Sequence, residues 1–70
     1  MDMINIGTRI KEIRMEYGLS QQKFGKLLSV SQDTVSLWEK GKSVPTTEFL
    51  IAIAKHFDVS VDYILCLKDF

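Results

Sequence analysis

Only Ser29 and Val30 separate the apolar stripe of one helical segment from the cap of the next. In QQKFGKLL, residues 21–28, Phe24 and Leu28 fall four apart on one face, and Ser20 precedes the segment as an N-cap. In QDTVSLWEK, residues 32–40, Val35 and Trp38 mark the inner face and Ser31 is the cap. So short a link forces the two axes to cross steeply. A close crossing needs a very small side chain on the earlier helix facing the later one, and Gly25 supplies it. The later helix is then free to project from the body.

The remaining segments also have helical period. Ile6, Ile10, Ile13 and Tyr17 follow one face of a first helix, which Gly18 stops, with Leu19 placed to fold back onto Ile13. Gly41 stops the third helix. Pro45-Thr46 opens a fourth, with Leu50, Ile53, Ala54 and Phe57 inward and Asp58 at the stop, where Asp tolerates positive φ better than most residues. Ser60 caps a short fifth helix, VDYILCL, with Asp62 in its first turn. No alternating strand pattern or internal repeat interrupts this order. The 70 residues are 46% apolar and 26% charged, a composition suited to one folded domain. The expectation is a compact all-α domain of five short helices joined by loops of two to five residues.

Several functions are disfavoured at once. Cys66 is the single cysteine, so neither an intramolecular disulfide nor a four-ligand zinc cluster is expected. The first ten residues lack a basic start followed by a long apolar run, and no stretch reaches eighteen apolar residues, so a cytoplasmic protein outside the membrane is expected. His56, the single histidine, falls in the last turn of the fourth helix with no nucleophile beside it, and Cys66 is placed on a helix of core type. Neither a nucleophile–base pair nor a glycine-rich phosphate loop occurs. No enzyme activity, catalytic residue, metal or cofactor is expected.

Charge and patterning point instead to a binding surface. The formal net charge is zero, but residues 1–44 carry seven Lys/Arg (Arg9, Lys11, Arg14, Lys23, Lys26, Lys40, Lys42) against five acidic residues, while residues 45–70 are net acidic. The outer face of the third helix carries Gln32, Asp33, Ser36, Leu37 and Lys40. A merely solvated face favours Lys, Glu and Arg; short hydrogen-bonding groups and a Leu form a reading surface. The second and third helices together make a helix-turn-helix.

From Thr8 to Leu65 the chain resembles the phage Cro/repressor-like helix-turn-helix family, also called the XRE family of bacterial regulators. The matching pieces are RIKEIRMEYGLSQQKFGKLLSVSQDTVSLWEKGKSVP and AKHFDVSVDYIL. The resemblance implies a single five-helix, lambda-repressor-like DNA-binding domain over residues 1–70, with its helix-turn-helix core at about 20–40 and its third helix in the major groove of double-stranded DNA. By position it implies base contacts from Gln32, Asp33, Ser36 and Leu37. Gln32 has the planar amide that suits adenine N6 and N7, and Leu37 suits a thymine methyl. Asp33 either accepts from a cytosine amine or only favours the helix N-terminus; repulsion by phosphates favours the second reading. Gln21 and Thr34 are implied phosphate contacts, and in relatives the residue at Gln21 also braces the glutamine at Gln32. Lys40 and Lys42 flank Gly41 where the family grips phosphate with backbone amides and basic side chains. Arg14 and Glu39 match an ion pair that bridges the first and third helices. Ser29 departs from the glycine usual in this turn, and the zero net charge predicts modest affinity for random DNA.

The function so implied is a sequence-specific transcriptional regulator, a repressor acting as a homodimer on a palindromic operator. Phe49, Tyr63 and Phe70, on the later helices, are candidates for the dimer seam. The alternative is a protein-interaction module, such as an antitoxin that binds a partner toxin.

Overall fold

Each of the five helices is closed by the same kind of turn. The computed structural model describes residues 5–69, and its helices are α1 (Ile6–Glu16), α2 (Gln21–Leu28), α3 (Gln32–Glu39), α4 (Thr47–Phe57) and α5 (Val61–Ile64). Left-handed residues follow them at Gly18, Ser29, Gly41, Asp58 and Cys66, with φ between 53° and 74°. At each, the next amide reaches back to a carbonyl five residues earlier: Leu19 to Arg14, Val30 to Gly25, Lys42 to Leu37, Val59 to Ala54 and Leu67 to Asp62. These bonds satisfy helix-end carbonyls that would otherwise face water or the core unpaired. At the opposite ends, Asn5, Ser20, Ser31 and Ser60 each accept from a backbone amide three residues on.

The core is one cluster of Ile10, Ile13, Phe24, Leu28, Val35, Trp38, Leu50, Ile53, Phe57 and Ile64, drawn from all five helices. Phe24 and Phe57 stack with ring centroids 5.3 Å apart, and Tyr17 meets Phe57 edge-on at 4.9 Å. Tyr17 lies at the cap of α1 and is 52% exposed, so it forms the rim of that stripe; its hydroxyl donates to the Phe57 carbonyl.

Four local expectations are corrected. The connection between α3 and α4 runs over residues 40–46, longer than the short loops expected. Pro45 is buried ahead of the N-cap Thr46, outside α4. The fifth helix stops at Ile64, and Cys66 sits beyond it in the closing turn. Finally, Gly25 is small for the sake of the turn itself: a β-carbon there would lie 2.6 Å from the Val30 carbonyl oxygen and 3.3 Å from that of Ser31. The link between the helices folds back across α2.

Candidate nucleic-acid interface

Helix α3 is fixed from three sides. Its inner residues Val35 and Trp38 are buried in the core, which sets its rotation. Its N-terminus is capped by Ser31, whose Oγ accepts from the Thr34 amide at 3.1 Å and lies 3.0 Å from Thr34 Oγ1. Its C-terminal residue, Glu39, is anchored to α1. Arg14 donates from Nε and Nη2 to the two Glu39 oxygens at 2.6 and 2.9 Å, and from Nη1 to the Leu19 carbonyl at 2.9 Å. The Glu39 side chain is only 5% exposed. Hydrogen bonding to Glu39 raises the Arg14 pKa above its ordinary value, against burial and aided by the Glu39 charge. Gln21 adds a third donor to the same carboxylate, Nε2 to Oε1 at 3.1 Å. A planar fork facing a planar carboxylate leaves little rotational play.

The outer residues of α3 are left open. Gln32, Asp33 and Lys40 are exposed, Leu37 is 42% exposed and Ser36 is half-buried. At about 100° of rotation per residue, the five occupy a single arc of the helix, with Asp33 and Lys40 near its middle. Thr34 falls outside that arc, and its hydroxyl faces the cap. Lys40 and Lys42 are exposed around Gly41, but the backbone amides there are already engaged: Gly41 donates to Trp38, and Lys42 and Ser43 donate to Leu37. The lysine side chains, not those amides, are what this corner offers an anion. Gln21 is held by Glu39 rather than by Gln32, whose side chain has no hydrogen-bond partner among the described residues.

Two residues escaped sequence reasoning. Gly7 lies in the first turn of α1 against the end of α3, where a β-carbon would collide with the Trp38 carbonyl oxygen. Arg9, counted among the basic charges, is 5% exposed. Its Nη1 donates to the carbonyls of Tyr63 at 3.0 Å and Lys68 at 3.4 Å, and its guanidinium carbon sits 4.0 Å from the Tyr63 ring centroid. Its Nε lies 3.2 Å from Glu12 Oε1 without the alignment of a hydrogen bond. Arg9 and Arg14 are thus withdrawn into the protein, and the outward basic groups of this half are lysines. The spacing of Ile6, Ile10 and Ile13 carried the signal for Arg9, since residue 9 adjoins the buried stripe. Of the seam candidates, Phe49 is partly buried with its ring 5.5 Å from Trp38, Tyr63 is partly buried beneath Arg9, and Phe70 lies outside the described residues.

Comparison with known proteins agrees with this geometry. Residues 10–64 match the family described as helix-turn-helix, HTH_3. The chain is 33% identical over 61 residues to YgzD of Bacillus subtilis, an uncharacterized HTH-type transcriptional regulator, covering 87% of this chain and 92% of that one. It is 35% identical over 60 residues to repressor protein C2 of Salmonella phage P22, covering 86% of this chain and 28% of the repressor. The fold superposes on the crystal structure of the P22 c2 repressor in complex with a synthetic operator with a TM-score of 0.84, at 33% identity and over 90% of this chain and 96% of that one.

Proposed function

The chain belongs to the helix-turn-helix family, and from that premise we propose that it is a sequence-specific DNA-binding transcriptional regulator, a repressor, that reads its operator with α3. The observation that carries this reading is the exposed, hydrogen-bonding face of a helix whose other faces are locked by Trp38, the Ser31 cap and the Arg14–Glu39 pair. Gln32, Asp33, Ser36 and Leu37 are the base-reading residues. Lys40 and Lys42, with Gln21 and Thr34 at the edges, hold phosphates. The protein acts as a binder, not a catalyst, and works in the cytoplasm. The P22 relative, a repressor solved with a synthetic operator, supports DNA as the partner.

Two copies are needed for a useful site. One reading helix covers a few base pairs, too few to select an operator in a genome. Each copy has a single reading helix, α3, which can enter one major groove, while successive major grooves on one side of a duplex lie about 34 Å apart. We therefore assign it a homodimer on a palindromic operator. We place the seam on the later part of the chain, where Ile51 on α4 and Leu67 beyond α5 are exposed and Phe49 and Tyr63 are partly so.

Titration against duplexes selected from random sequence tests both parts. Binding should be cooperative on two half-sites whose centres are about one helical turn apart. Inserting about five base pairs turns the half-sites to opposite faces and should abolish that cooperativity. A single half-site that binds as tightly as two, indifferent to the insertion, would overturn the dimeric repressor in favour of the interaction module.

A further inference from the structure

Asp33 is the anomaly of the reading face. A carboxylate brought up to a duplex is repelled by its phosphates, and in the groove it meets mostly acceptors. A role confined to the fold would account for it only if α3 drew on it, and the structure limits that role. The capping bond at the N-terminus of α3 is made by Ser31, which accepts from Thr34. Asp33 is exposed, and among the described residues its carboxylate has no hydrogen-bond or ion-pair partner. What remains is an interaction with the helix dipole, weak and screened at an exposed position. Meanwhile the buried faces of Val35 and Trp38 set the rotation of α3 so that Asp33 stands near the middle of the open arc, one residue after Gln32.

We infer that Asp33 is a specificity-determining residue that selects cytosine, by accepting from its N4 amine, and rejects the other bases at the same position. The inference rests on the proposed reading of DNA by α3. Its chemistry follows from the groove edges. Guanine presents O6 and N7 and thymine presents O4, all acceptors that repel a carboxylate. Adenine offers an N6 donor but sets the N7 acceptor beside it. Cytosine alone presents a donor without an adjoining acceptor on its own edge. A carboxylate desolvated against any other base is left unpaired, and that penalty, more than the gain from the correct base, is the source of discrimination. Asp33 also lowers affinity for random DNA, because it opposes Lys40 and Lys42 on every sequence alike.

The test is selection of bound duplexes from random sequence by the whole protein, wild type beside Asp33→Ala and Asp33→Asn. Each protein's affinity for the selected site and for random duplex is then measured. The wild type should fix cytosine at one position in each half-site, next to the position whose preference depends on Gln32. Changing that cytosine should weaken wild-type binding by about five- to 150-fold. Asp33→Ala should lose preference at that position alone, retain it elsewhere, and bind random duplex more tightly than the wild type. Asp33→Asn should shift the position toward adenine, which pairs with an amide. If the wild type selects a site in which no cytosine responds to Asp33, the inference is wrong while DNA reading by α3 stands. If it selects no sequence at all, both fall together.

Discussion

Gly7 and Trp38 meet through their main chains: the start of α1 rests on the carbonyl at the end of α3, with no room for a side chain between them. Glycine in a helix is ordinarily worth replacing, since alanine gains about 0.5–1 kcal/mol there. Here the contact reverses the sign. Gly7→Ala must push backbone against backbone, an overpacking that costs about 1–3 kcal/mol. Thermal unfolding should show Tm lowered by about 10 °C. A Tm that rises instead would mean that α1 slides along α3 without cost.

Behind the reading face, the buried Glu39 carboxylate collects donors from both Arg14 and Gln21. Glu39→Ala leaves the Arg14 guanidinium, 12% exposed, without its partner. Breaking such a pair from one side should cost about 3 kcal/mol in urea denaturation. Replacing both at once, Arg14→Met with Glu39→Leu, should recover most of that loss, because no buried charge remains. Equal losses for the single and double variants would show that packing, not the charge, is what matters there.

Ser29 holds a left-handed conformation, φ 61° and ψ 38°, at the turn between α2 and α3. An L-residue with a β-carbon is strained there by about 1–2 kcal/mol, while glycine loses more freedom on folding by about 0.5–1 kcal/mol. Ser29→Gly should therefore stabilise the protein by several tenths of a kcal/mol to about 1 kcal/mol. The measurable outcome is a Tm raised by a few degrees with DNA affinity unchanged. A lowered Tm would show that the Ser29 side chain contributes more than its backbone strain removes.

Gln32 and Lys42 should part company on DNA. Gln32→Ala should cost about 1–3 kcal/mol on the best site and relax one base pair per half-site. Lys42→Ala should weaken binding to all sequences alike and make the slope of log affinity against log salt shallower by about one. An unchanged slope removes Lys42 from the phosphate contacts, and equal losses of the Gln32 variant on selected and random DNA remove Gln32 from the base contacts.

What could be read from the sequence was set by local chemistry. Serine caps, left-handed stops and the i, i+4 stripes place Ser31, Gly18, Gly41, Phe24 and Trp38 where the structure has them, because each acts over only a few residues. The carboxylate that receives Arg14 was legible through the family resemblance, as no local pattern joins residues 25 apart. Gly7 and Arg9 stayed hidden for the same reason. Their partners, Trp38, Tyr63 and Lys68, are distant in the chain; the stripe of Ile6, Ile10 and Ile13 runs beside residue 9, but no local pattern announces the distant carbonyls that receive its guanidinium. Around Gly41 a helix-closing turn and an anion grip draw on the same sequence, so only the structure reveals that the amides of Gly41, Lys42 and Ser43 close α3.

The clamp made by Arg9 has a consequence in time. Its bonds span 54 and 59 residues, so forming them closes almost the whole described chain into a ring, whereas the helix-closing turns span only five. Local turns form quickly; a closure of that length is entropically costly until the helices have docked. A clamp that forms only after docking contributes little to the folding transition state, and its free energy is then expected in the barrier that the native chain must climb to open. Removing the Arg9 guanidinium should therefore shorten the life of the folded protein and leave the rate at which it is reached nearly unchanged.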